Sequence, residues 1–188
     1  TNKRLKRDCQ RAAFPVPLSR GGFGGLCLGL VVMRCQPLRR ALGLRLFMEI
    51  KEFSACNLES LRKLYLDSRR DSFPWLKADS FRIEDFDRDS QGERIWLSEV
   101  LGNVAGFISI WEPDNFIHHL YVATEYQGQG VGSMLLNGAK MKYGNLSLKC
   151  MVQNQKALNF YLSQGFEIVS KVDDELGGYY YMSFSAQT

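Results

Sequence analysis

The stretch that most constrains this chain is FIHHLYVATEYQGQGVGSMLL, residues 116–136. An apolar run of strand character gives way to three alternating glycines, Gly128, Gly130 and Gly132, and then to a helical pattern anchored by Val131, Leu135 and Leu136. Glycine reaches positive φ at little steric cost, so such a loop can turn several backbone N–H groups toward one point. A helix opening there adds its unpaired first-turn N–H groups and the positive end of its dipole. The pattern suits a phosphate or pyrophosphate. A plain strand-to-helix turn is the alternative for one glycine; three at this spacing favour the anion site.

Two familiar phosphate loops do not fit. A Walker loop needs a lysine after its last glycine, and here Gly132 is followed directly by Ser133. A dinucleotide fingerprint wants a glycine where Ser133 stands and an acidic residue beyond the next strand, where this chain has Gln153 and Asn154.

Around the loop the periodicities predict a regular order of elements. Residues 48–54 alternate as a strand. Asn57 caps a helix with Leu58, Leu61, Leu64 and Tyr65 on one face, and Pro74 interrupts it. A short helix is expected over about 80–87, then a hairpin turning at Gly102 and Asn103, then the strand 116–122. A helix follows over about 130–143, then a strand, a helix capped by Asn154 and stopped by Gly165, and two final strands. The expected fold class is α+β, with a mostly antiparallel sheet of about seven strands flanked by about four helices.

Charge divides the chain. Residues 1–47 carry ten Lys or Arg against the single Asp8, a net +9, whereas the remainder holds 14 basic and 19 acidic residues, a net −5. The part with a foldable pattern is therefore acidic and gives no reason to expect nucleic-acid binding. Cys9, Cys27 and Cys35 lie in the basic leader, leaving Cys56 and Cys150, and no pair has metal-ligand or redox spacing. That usage points to a reducing cytoplasm, with no metal and no disulfide framework. The glycine-rich apolar run at 21–33 is too short for a membrane span, and no small-residue cleavage site follows it to support a signal peptide. The leader resembles the translation of a recombination-site repeat between integron gene cassettes. On that reading residues 1–47 are a non-native leader, residues 48–188 are the domain, and Met48 is the natural start. A basic disordered tail is the plainer reading, and both expect little packing against the domain.

One family does fit. Gln127, Gly130 and Gly132 match the Gln/Arg-x-x-Gly-x-Gly/Ala loop of the GNAT acyl-CoA-dependent N-acyltransferases, and Asn154, Ala157, Phe160, Tyr161, Gly165 and Phe166 match its downstream motif. Each half is common; the two in this order and separation are specific, and the resemblance runs from Met48 to about Ala186. It implies acetyl-CoA as donor cosubstrate and a parallel strand pair splayed apart at the glycine loop. Backbone at Leu120, Tyr121 and Val122 would hold the pantetheine, and Gln127, Gly128, Gln129, Gly130, Val131, Gly132 and Ser133 the pyrophosphate, with Asn154 and Ala157 beside them.

For the chemistry, the resemblance implies Tyr161 as the proton donor to the leaving thiolate, its alternative being a core packing role beside Phe160. Strand alternation puts His119 on the acceptor side if Leu120 and Val122 face the core, making it the first candidate base. A bulge would hand that role to His118, and both histidines could instead only shape the pocket. The acceptor pocket is expected from Phe73, Trp75, Trp111, Glu112 and Asp114, backed by Arg69 and Arg70, although each could equally be a core or solvated residue. The reading is an acetyl-CoA-dependent N-acetyltransferase acting on a primary amine of a small molecule or peptide, without nucleic acid or membrane. A silent acyl-CoA sensor and an aminoglycoside acetyltransferase are the alternatives. The strand GYYYMSF is expected at an edge, where it would pair between subunits of a homodimer.

Overall fold

The computed structural model describes residues 11–13, 48–74, 76–173 and 177–186. Its elements are β1 (Arg11–Ala13), β2 (Met48–Glu52), α1 (Leu58–Ser72), α2 (Asp85–Asp89), β3 (Arg94–Val100), β4 (Asn103–Trp111), β5 (Phe116–Val122), α3 (Val131–Tyr143), β6 (Asn145–Met151), α4 (Gln155–Ser163), β7 (Glu167–Val172) and β8 (Tyr179–Ser185). Seven strands run β2-β3-β4-β5-β6-β8-β7. All neighbours are antiparallel except β5 and β6.

Alternation builds two cores on one sheet. Ile95, Leu97, Phe107 and Tyr121 point to Leu61, Leu64 and Tyr65 of α1 and Phe86 of α2. Their neighbours Trp96, Ile108, Leu120 and Val122 point the other way, to Val131, Leu135, Leu136 and Ala139 of α3 and to Leu158 and Tyr161 of α4. With helices on both faces, β4 is buried on both sides, which is why its sequence reads as a nearly continuous apolar run.

Several local expectations shift. The hairpin turns on Leu101 and Gly102, φ 53° and 79°, because a two-residue loop of this hand needs positive φ at both central positions. Asn103 is already in β4, one residue later than the turn expected from its sequence. The second helix is Asp85–Asp89, preceded by a 3-10 turn at Ala78–Ser80. Asn57 stands at the N-cap of α1, but its side chain accepts from Ser54 Oγ instead of capping the helix. GYYYMSF is not an edge: β8 lies between β6 and β7, and the sheet's margin is β7, all six residues of which are exposed. The leader is not wholly apart from the domain, since β1 pairs in parallel with residues 119–121 of β5. The rest of residues 1–47 lies outside the described residues, as does Trp75.

Candidate functional site

β5 and β6 pair only at Phe116 with Ser147 and Ile117 with Leu148, and beyond that they part. The gap opens toward the glycine loop, and β1 runs along its β5 side, opposite His119, Leu120 and Tyr121. Backbone on that side of β5 thus accepts a parallel strand, the mode in which an extended amide-bearing ligand would add to the sheet.

The loop that closes the gap has the conformation its glycines suggest. Gly128 and Gly130 take φ of 70° and 91°, whereas Gly132 is already helical. A Cβ on Gly128 or Gly130 would meet nothing within 4 Å, so relief of crowding does not explain these glycines. Gly130 is the N-cap of α3 and offers no side-chain cap, leaving the first-turn N–H groups without the partner a Ser or Asp would supply. Gln127 is part of the loop's frame: its Nε2 donates to Val122 O at 2.9 Å, and its Oε1 accepts from Lys156 Nζ at 3.2 Å. Gln129 likewise ties back to Glu125 O. Burial lowers the pKa of Lys156, and an anion beside this ammonium would oppose that shift by favouring the charged form.

Asn154 and Ala157 meet each other: Asn154 Oδ1 accepts from Ala157 N–H at 3.1 Å as the N-cap of α4. This cap fixes where α4 starts and so how Tyr161 is aimed. Tyr161 is fully buried, and its hydroxyl has no hydrogen-bond partner among the described residues. Burial is the main cause that raises its pKa well above the ordinary phenol value, with Cys150 and Tyr121 adding smaller contributions. The phenol therefore holds its proton throughout the neutral range. Burial also pushes the Cys150 thiol up to about 12, which keeps it from acting as a thiolate nucleophile.

Both histidines face α1, and a bulge is the reason. Ser109 pairs with His119 and Ile110 with Ile117, so His118 is the extra residue on β5. Ile117 and Leu120 consequently both face α3, and the two residues between them turn toward the opposite core. His119 is 1% exposed, with its ring 5.1 Å from Tyr65 and 6.0 Å from Tyr121. His118 Nδ1 bonds to Glu93 Oε1. The Glu93 side chain is 1% exposed, and its second oxygen has no hydrogen-bond partner among the described residues.

The expected acceptor residues are not gathered at one place. Phe73 is buried with Phe81 and Met151, where the end of α1 meets the tip of β6. Glu112 accepts from Tyr143 Oη at 2.7 Å and pairs with Lys142 and Arg94. Those partners put it at the C-terminal end of α3, about 20 Å along the helix from the glycine loop. Trp111 and Asp114 flank it and are exposed. Arg69 is a buried tie: its Nη1 reaches Asp85 at 2.9 Å and Asp89 at 3.4 Å, and its guanidinium lies 4.6 Å from the Phe81 ring centre. Arg70 lines a hollow of about 750 Å³ with Lys63, Asp67, Asp71, Thr124 and Glu125. This hollow touches neither the loop glycines nor Tyr161, so it lies outside the candidate site.

Glu93 and Lys156 escaped the sequence reading. Glu93 precedes β3, and only the register of two hairpins, Arg94 to Ile110 and Ile110 to Ile117, carries it toward His118. Lys156 had a weaker signal, a lone cation in the first turn of the helix after the Asn154 cap.

With this geometry in view, comparison with known proteins agrees. Residues 58–166 match the model of the Acetyltransferase (GNAT) family. The chain belongs to that family and is an acetyltransferase. It is 32% identical over 123 residues to the peptidyl-lysine N-acetyltransferase YiaC of Escherichia coli, a match covering 64% of this chain and 84% of that protein. Over 25 residues, 13% of each chain, it is 96% identical to a UPF0157 protein of Vibrio cholerae. Among solved structures, the PaiA N-acetyltransferase of Thermoplasma acidophilum in complex with coenzyme A superposes with a TM-score of 0.60 at 19% identity, covering 73% of this chain and 98% of that one. Among the described residues no helix is long and apolar enough to cross a membrane.

Proposed function

We propose that the protein transfers the acetyl group of acetyl-CoA directly to a primary amine, with a lysine side chain of a peptide as the first acceptor class to test. The observation that carries this reading is the buried, unpartnered Tyr161 hydroxyl beside the strand gap. A buried hydroxyl with no partner costs about 1–3 kcal/mol, a cost that a departing sulfur accepting its proton would offset. Acetyl-CoA supplies the acyl carbon and a thiolate leaving group. The chain does the rest. The N–H groups of residues 128–133 and Lys156 hold the pyrophosphate, backbone of 120–122 holds the pantetheine in place of β1, which pairs with residues 119–121 here, a histidine on the α1 face takes the proton of the amine, and Tyr161 gives one to the sulfur as the C–N bond forms and the C–S bond breaks.

The relative YiaC, a peptidyl-lysine N-acetyltransferase, supports the peptide class. A polycationic aminoglycoside is less well supported, because Glu112 is engaged by Tyr143, Lys142 and Arg94. The Tyr161 hydroxyl also counts against a silent sensor, which would need no proton donor. A cytosolic site of action follows from the donor proposed.

The test is release of free CoA from acetyl-CoA in the presence of lysine peptides, polyamines and aminoglycosides, with mass spectrometry of the acceptor. A gain of one acetyl group on a lysine Nζ is the expected product; slow hydrolysis that no amine accelerates would remove the transferase reading and favour the sensor.

A further inference from the structure

We infer that Glu93 is the positioning residue for His118, and that the pair makes His118, not His119, the proton acceptor of the reaction. This rests on the acetyltransferase reading above. A carboxylate can only accept, so the bond between Glu93 Oε1 and His118 Nδ1 commits the Nδ1 proton and directs proton acceptance to Nε2. The arrangement is that of a carboxylate fixing the tautomer of an imidazole and stabilising the imidazolium formed when a proton arrives.

Three features mark the pair as built. Glu93 is buried although its second oxygen has no hydrogen-bond partner, a position that costs stability and is not explained by packing. The bulge in β5 lies at His118 itself and lets His118 and His119 share the face opposite Ile117 and Leu120. His118 is also slightly less enclosed than its neighbour, with its side chain 11% exposed while His119 lies against Tyr65 and Tyr121. The two imidazole rings are 6.1 Å apart, so both border the same space, and the bond to Glu93 is made by His118.

The chain has two histidines, which makes the pair directly observable. Long-range proton–nitrogen correlation of the full chain labelled with nitrogen-15 resolves two imidazoles, and His118→Ala assigns them. The wild type should show His118 as the Nδ1–H tautomer, and Glu93→Ala should shift it to the Nε2–H form that predominates in free histidine. In the same variant kcat for a lysine peptide should fall roughly ten- to hundredfold, short of the loss expected on removing a proton acceptor, about 10²–10⁴-fold. The KM for acetyl-CoA should stay within about twofold. If the alanine variant does not fold, Glu93→Gln keeps the shape and loses the charge, and kcat should still fall. An unchanged tautomer in Glu93→Ala, or unchanged kcat in a folded Glu93 variant, would overturn the assignment. Failure of the wild type to acetylate any amine would instead remove the transferase reading, and the tautomer measurement, which needs no substrate, would still decide whether Glu93 orients His118.

Discussion

In the proposed reaction Tyr161 concentrates the chemistry in one side chain. A phenol in water loses its proton near pH 10; burial disfavours the phenolate and raises that value, so the acid form persists as pH rises. Replacement by Phe should therefore lower kcat by roughly 10²-fold or more, with little change in the KM for acetyl-CoA. The wild-type kcat profile should show no alkaline fall attributable to Tyr161 up to about pH 9. A fall near pH 8 that disappears in the Phe variant would mean the phenol titrates there and would contradict the burial argument. The place of Tyr161 on α4 was legible in the sequence because a helix cap, an aromatic pair and a stop at Gly165 fix the helix. Glu93 was not, since a residue whose partner lies two strands away leaves no mark on its own neighbourhood.

At the scale of elements, α1 and α2 form the wall facing the histidines, and Arg69 joins them. It sits 3% exposed between Asp85 and Asp89, with Tyr65 Oη also donating to Asp89 at 2.8 Å. Removing one partner of a buried ion pair leaves uncompensated charge, so Arg69→Ala should cost about 3–5 kcal/mol in urea unfolding. A loss under about 1 kcal/mol would show the tie to be dispensable. The helix face of α1 was readable from Leu61, Leu64 and Tyr65, and the hairpin from its alternation. The turn was misread by one residue because Gly102 was matched with Asn103, whereas the strand register pairs it with Leu101 at positive φ. The bulge at His118 is a property of the β4–β5 pairing, and no single-strand pattern contains it.

At the scale of the molecule, a sheet covered on both faces splits along one seam, where β5 and β6 part and α3 begins. The mostly antiparallel sheet was read from element order, and the parted parallel pair was implied by the family resemblance. The acceptor pocket was not, because Glu112 was assigned by its place in a turn while its partners are on α3. The seam is where the donor should bind, and the direct test is a thermal-shift titration of the full chain with acetyl-CoA, CoA, NAD and ATP. Stabilisation growing with acetyl-CoA and CoA and absent with NAD and ATP is the predicted result. No shift with either CoA species at concentrations that saturate related acetyltransferases would contradict the assignment of the glycine loop and the strand gap as the acetyl-CoA site.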